Sequence, residues 1–422
     1  MKQYIFLLIA LFYGGCLSSC TKEIPPSVLK IGVFSDPHYL SEQLMDNGVA
    51  IETYDKISGK AVREVPFVLQ QVIDGYLSDD IEILLIPGDI TKDGEKQSHI
   101  DFVKKLKPLL QKGVKVFVIP GNHDINIPKA SGYKGENTYP TENITADEFA
   151  KIYADCGYKD ALKRDSASLS YVAELNDNIW LLAIDVSRYQ EYTTKSISGG
   201  RLLPATEQWV IEVMENARLA NKQVIGMMHH GLVEHIMMQS SFFPEYIVED
   251  WQRVASSFAD LGIKAVFTGH FHANDITEFT SQSGNKIYDI ETGSLSAYPF
   301  PYRYIEMNQD GLKVTTKNIT STLSSPHLAK ENKILMQEKA RQIAKQKIQT
   351  RGINLPENTL SLITDIIAQV FVMHLEGDEV IDDNLRKSIQ ELSTELDSPI
   401  DASSQLFGID LYPADNNVEI KF

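Results

Sequence analysis

Five short motifs hold the side chains with the most chemical reach: Asp36-Pro37-His38, Gly88-Asp89, Gly121-Asn122-His123-Asp124, His229-His230 and Gly269-His270-Phe271-His272. Each follows an apolar run, in the order "IGVFS", "ILLIP", "VFVIP", "VIGMM" and "AVFT". Imidazole and carboxylate are the groups that ligate transition metals and carry protons near neutral pH. The chain has ten histidines. Six of them, His38, His123, His229, His230, His270 and His272, lie in these motifs, with His235 close by. A lone histidine at a strand end is usually structural, and an Asp-x-His or Gly-Asp pair is common by chance. Five such motifs in series, each closing an apolar run, are not explained as core, because unpaired buried Asp and His would be costly there.

The elements that must position them are legible as well. "LKIGVFS", "IEILLIP", "VKVFVIP", "NIWLLAI", "QVIGMM" and "IKAVFT" are continuous apolar runs, the pattern of strands buried on both faces. Helical spacing between them, at residues 65–76 and 206–220, gives the alternation of an α/β core. The carboxyl ends of strands in such a core share one edge, where ligands bind. Motifs spread over more than 230 residues can therefore converge. Residues 39–64 and 125–165 read as long polar excursions near those strand ends. Beyond about residue 320 the texture changes to charged helical patterns, with a stop at Gly352. The layout expected is a catalytic unit at 29–318 and a C-terminal helical extension at 319–422.

The first twenty residues form a secretory signal, with Lys2 before an apolar stretch from Ile5 to Tyr13. It ends in Leu17-Ser18-Ser19-Cys20, which resembles a bacterial lipobox. Cys20 is then the expected lipidation site, anchoring an exported protein to a bacterial membrane, and residues 21–28 are a short tether. Of three cysteines only Cys156 would remain free, so no intramolecular disulfide is available. The formal net charge of -17 argues against a nucleic-acid scaffold. A phosphate ligand would need a local positive charge, which metal ions supply.

Taken in order, the five motifs resemble those of the calcineurin-like metallophosphoesterase superfamily, over about residues 29–315. "GDITKDGEKQSH", "VIPGNHDIN" and "FAKIYADCGY" are similar to a narrower group, bacterial lipoproteins akin to cyclic-nucleotide phosphodiesterases. The resemblance implies a four-layer α/β/β/α sandwich followed by the helical extension. It implies two metal ions, one held by Asp36, His38 and His272, the other by Asn122, His229 and His270, with Asp89 bridging. His230 would sit behind the ligands or face substrate. His123 would lie near the scissile phosphate as the catalytic residue, donating a proton to the leaving group or a hydrogen bond to a phosphoryl oxygen, and Asp124 would orient it or a ligand.

Two cations about 3.5–4 Å apart neutralise a phosphate ester and hold a hydroxide for direct attack. Imidazole and oxygen ligands without thiolate suit Fe, Mn or Zn better than Ca or Mg. Lys92 stands where protein phosphatases of the superfamily carry an Asp and purple acid phosphatases a ligand Tyr, and His38 is present where the purple enzymes lack it. Neither subgroup fits. The expected activity is hydrolysis of small phosphodiesters, cyclic nucleotides among them. A phosphomonoesterase or nucleotidase with the same metals, or a non-catalytic lipoprotein binding phosphorylated ligands, are the alternatives. Peptidase chemistry is not indicated, since no H-E-x-x-H occurs. Tyr39 and Tyr298, the latter in "AYPFPYRY", are candidates for stacking on a substrate base, against the plainer reading of packed aromatics.

Overall fold

The computed structural model describes residues 28–396 and 414–422; Cys20, the signal and nearly all of the tether lie outside them. In chain order the strands are β1 (Leu29–Val33), β2 (Ile83–Ile86), β3 (Lys115–Val118), β4 (Ser131–Lys134), β5 (Asn137–Pro140), β6 (Lys163–Arg164), β7 (Tyr171–Glu174) and β8 (Ile179–Ile184). They continue as β9 (Gln223–Met228), β10 (Ala265–Thr268), β11 (Asp275–Thr280), β12 (Lys286–Glu291), β13 (Pro301–Asn308), β14 (Gly311–Asn318) and β15 (Asn417–Lys421). Helices α1 (Val49–Ser58), α2 (Val65–Ser78), α3 (Lys96–Lys112) and α4 (Ala146–Ile152) fall in the first half. Helices α5 (Pro204–Leu219), α6 (Gln239–Phe242) and α7 (Trp251–Leu261) follow, then α8 (Leu328–Thr350), α9 (Glu357–Glu376) and α10 (Asp383–Glu395).

Two mixed sheets face each other. One has the order β15-β14-β13-β1-β2-β3, with β1, β2 and β3 parallel; the other is β11-β12-β10-β9-β8-β7-β6, parallel from β12 through β8. The period-two geometry of a strand explains the layering. Leu181, Ile225 and Phe267 point into the core between the sheets, alongside Val33 and Leu85. Their chain neighbours Leu182, Val224 and Val266 point outward and pack beneath α5 and α7, against Val210, Val213 and Phe258. On the other side, α2 and α3 cover the first sheet through Val68, Val72 and Leu106. This is the α/β/β/α sandwich that the sequence led us to expect.

The excursions at 39–64 and 125–165 carry α1, the β4-β5 hairpin and α4. The extension holds the expected helices and one further strand. After α8, α9 and α10 the chain returns as β15, which pairs antiparallel with β14 and closes the edge of the first sheet. The alternation of Val418, Ile420 and Phe422 is the period-two signal for that strand, outweighed in the sequence by three long helical patterns.

Where the extension meets the second sheet lies a buried charge cluster. His235 Nδ1 is 2.7 Å from Asp275, and its Nε2 is 3.1 Å from Asp289 and 3.3 Å from Glu291. From α9, His374 is 2.8 Å from Glu379 and 3.6 Å from Asp275. Burial works to lower the His235 pKa, but Asp289, Glu291 and Asp275 prevail and raise it well above 6.5. Replacing His235 with Leu removes the cation that Asp275, Asp289 and Glu291 share, leaving Arg303 to offset the buried negative charge, and should cost about 3–5 kcal/mol. Because the folded pKa is raised, the wild-type advantage should be full below pH ~6.5 and shrink as pH rises toward the folded value. Urea unfolding of both proteins at pH 6 and pH 9 checks this; equal midpoints would refute it.

Candidate metal centre

The five motifs lie in the loops that leave β1, β2, β3, β9 and β10, at one edge of the sandwich. Their backbone is held in an uncommon conformation. Asp36, His38, Asp89, His270 and His272 all have positive φ, at 52°, 42°, 44°, 73° and 66°. Side chains are rarely tolerated there, with Asp and His among the less unfavourable, and such strain clusters at functional sites.

The glycines make room for the carboxylates. A Cβ on Gly121 would sit 2.2 Å from Asp89 Oδ1, and one on Gly269 would sit 2.3 Å from Asp36 Oδ2. Gly121→Ala should therefore push Asp89 out of place and lower bound metal at least tenfold in affinity, by analogy with disturbing the groups that orient metal ligands. Metal content after dialysis against a graded chelator measures it, and wild-type retention would exclude the steric account.

Two groups of ligand atoms converge, each within 4.8 Å: Asp36 with His38 and His272, and Asp89 with His229 and His270. In the first, His272 Nε2 is 3.1 Å from Asp36 Oδ1 and 3.4 Å from His38 Nε2. In the second, His229 Nδ1 donates to the Pro87 carbonyl at 2.7 Å, which turns Nε2 toward Asn122 Oδ1 at 3.1 Å. His270 donates from Nε2 to the Glu245 carbonyl at 2.9 Å, leaving Nδ1 as its ligand atom. Asp89 Oδ2 lies between the groups, 3.6 Å from His38 Nε2 and 3.4 Å from His229 Nε2.

The charges suit cations. Burial works to raise the pKa values of Asp36 and Asp89, but the surrounding histidines hold both carboxyls below their usual range, so both are ionised. Burial, assisted by Lys60 at His38 and by His230 and His229 at His270, keeps those two imidazoles neutral. Burial opposes the charge on His229, yet Asp89 and Asp36 raise it to about 9. That imidazolium holds the place a cation would take, and metal uptake at neutral pH would release its proton. The donor set, two carboxylates, one amide and four imidazoles without sulfur, fits two transition-metal ions. Cys156 is buried in the core, and burial pushes its thiol up to about 12.

His123 reaches the same space, its ligand atom within 4.8 Å of those of His38 and Asp89. Its Nδ1 donates to the Lys92 carbonyl and to Asp93 Oδ1, both at 2.9 Å, so Nε2 faces the open side of the cluster. Burial lowers its pKa, but Asp89 and Asp93 outweigh burial and Lys60, and the net shift is upward. Asp93 is the residue that sequence reasoning missed. It lies four residues after Asp89 and pairs with both His123 and Lys92. Lys92 is buried there, against the rings of Tyr54 and Tyr133. An Asp beside the departure at Lys92 was the available signal.

The structure also places the other candidates. Asp124 does not touch the His123 side chain. It accepts from the backbone N–H groups of Gly121, Ile90 and Thr91 at 2.8, 3.1 and 2.8 Å, and so clamps the Asp89 loop to the Asn122 loop. His230 is buried behind the ligands, donating to the Ser198 carbonyl at 2.7 Å and packing on His270. Tyr39 is buried against Phe102. Tyr298 bonds Glu376 of α9 and joins the packing of Met336 and Val372. Neither tyrosine borders the cluster, because their chain positions put the rings into interfaces between elements. Aromatic rings that do reach it include Tyr246, 5.0 Å from His270 between centroids, Phe271 beside it, and Tyr192, whose hydroxyl donates to the Asn122 carbonyl at 2.9 Å.

A two-sheet sandwich with histidine and carboxylate ligands at the strand ends defines a metal-dependent hydrolase. The family profile of calcineurin-like phosphoesterases matches residues 29–274, more than half of the chain. The chain belongs to that family, and is a metal-dependent phosphoric ester hydrolase. No curated protein matches the sequence. Among solved structures, a dimetal phosphatase from zebrafish (Danio rerio) is 14% identical at a TM-score of 0.48, covering 69% of this chain and 96% of its own. A purple acid phosphatase from seeds of yellow lupin (Lupinus luteus) is 13% identical at a TM-score of 0.45, covering 69% of this chain and 52% of its own.

Proposed function

We propose that the chain hydrolyses phosphodiesters at two metal ions, Fe, Mn or Zn, held as the sequence resemblance implies. The observation that supports this most directly is the position of Asp89. One oxygen of its carboxylate faces His38 from one ligand group and His229 from the other. When bound, the two ions would neutralise the phosphoryl group and activate water. The chain's own residues do the rest. Asp36, His38 and His272 form one cradle, and Asn122, His229 and His270 the other. Asp124 holds the two intervening loops in register through backbone N–H groups. His123, fixed by Asp93, presents Nε2–H toward the leaving oxygen and can protonate it.

The preference for diesters, cyclic nucleotides included, rests on the likeness to the lipoprotein subgroup. We also propose that Cys20 carries the lipid that anchors an exported protein to a bacterial membrane. Comparing bis(p-nitrophenyl) phosphate with p-nitrophenyl phosphate on Mn-, Fe- and Zn-loaded protein tests the reaction. The diester should be cleaved faster by at least tenfold. The reverse order would replace this reading with a phosphomonoesterase, and no turnover of either would leave a binding protein.

A further inference from the structure

A cavity of about 770 Å³ opens onto the ligand cluster, where Asp89, Asn122, His123, His270 and His272 form one of its walls. Most of the other walls come from residues 236–246 and from α8 and α9. The helices lie beyond residues 29–274, so the matched family region supplies the wall at 236–246 and the C-terminal extension supplies the one opposite. Its volume is that of a small-molecule site rather than a packing void.

The lining is apolar, with Phe242, Phe271, Ile348, Val370 and Phe371 among its members. It also gathers large apolar side chains that remain in water. Met237, Met238, Ile343, Ile353 and Ile367 are 54%, 49%, 46%, 48% and 39% exposed, and all five line this one cavity. A concentration of exposed apolar surface beside a reactive site marks where a ligand covers it. Ile and Met side chains conform to a flexible chain more readily than to a polar ring. A nucleobase would need several hydrogen-bond partners. Away from the ligand cluster, the polar side chains of the lining are few, chiefly two serines, His374, Glu379 and four cations. In a chain of net charge -17, the grouping of Lys60, Lys339, Lys347 and Arg351 around this space matches an anionic ester. Lys347 and Arg351 are held at its edge, over the rings of Phe243 and Phe242.

We propose that the cavity holds the aliphatic chain of a lipid phosphoester while its phosphate lies at the metal cluster. This deepens the proposed function and rests on it. The substrate class is an ester of phosphate with at least one long alkyl group, and the α8-α9 pair is its chain-binding wall.

The test uses the metal-loaded protein and two readouts. Calorimetric binding of methyl-, butyl- and octylphosphonate, none of which is hydrolysed, comes first. Each methylene moved out of water is worth about fourfold in affinity when fully buried, so burying even about half of the added methylenes should make octyl bind on the order of a hundredfold tighter than methyl. The second readout is kcat/KM for p-nitrophenyl phosphodiesters carrying the same alkyl groups and for one carrying thymidine, with octyl expected to lead. Ile343→Glu and Ile367→Glu, at partly exposed positions, should reduce the chain-length effect to less than tenfold. Equal binding across the series, with the methyl diester still hydrolysed, overturns the chain site and leaves the hydrolase. A lead for the thymidine ester without any chain-length effect overturns it in favour of a nucleotide. Failure to bind metal or to cleave any diester overturns the underlying reading and this one with it.

Discussion

Asp89→Asn should abolish phosphodiester hydrolysis to within the detection limit, a loss on the order of 10³-fold or more, about 4 kcal/mol of barrier. The substitution keeps the shape of the side chain. Its Oδ1 can still accept the His123 backbone N–H, a contact of 2.8 Å in the wild type. What disappears is the negative charge at Oδ2, the atom that faces His38 and His229 at 3.6 and 3.4 Å. Two cations held close together repel each other, and an uncharged amide cannot offset that repulsion. Metal content should therefore fall from about two ions per chain to one or fewer. A variant that kept both ions and full turnover would remove Asp89 from the bridging role.

His123→Asn is the second large effect, and it separates two kinds of help. If His123 protonates the leaving oxygen, loss should depend on how much the leaving group needs a proton. For esters of alkyl alcohols the expected fall in kcat is about 10²–10⁴-fold, the usual contribution of general acid catalysis. For a p-nitrophenyl ester, whose phenolate leaves readily on its own, the fall should be far smaller. Asp93→Asn should reproduce the pattern in weaker form, because Asp93 only holds the imidazole. A uniform loss across leaving groups would instead assign His123 a contact with the phosphoryl oxygens.

The family profile matches up to residue 274, and α8 and α9 lie beyond it. Tyr298 to Glu376, His374 to Asp275 and Lys347 to the Phe242 carbonyl tie α8 and α9 to the sandwich at the rim of the active edge. The helices thus shape what the metal cluster can accept without supplying a ligand to it.

The sequence by itself determined the strands, most of the helices and the order of the motifs. Those signals are local: apolar runs such as "ILLIP" and "VFVIP" define buried strands wherever they sit, and the motifs follow directly in the chain. The likeness to a known family then proposed which residues act together. Contacts across hundreds of residues had no such signal. His38 and His272, 234 positions apart in sequence, are brought to 3.4 Å only by the parallel stacking of β1 and β10 in two different sheets. Likewise Asp93, not Asp124, holds His123, because the choice turns on which carboxylate is drawn off by backbone N–H groups. Tyr298 turned to α9 and β15 returned to β14 for the same reason: each depends on a partner supplied by a distant segment, which periodicity cannot encode. Tertiary structure also decided where the extension lies. Helical spacing gives α8 and α9 apolar faces, but it does not state that those faces close over the metal cluster with a cavity between them.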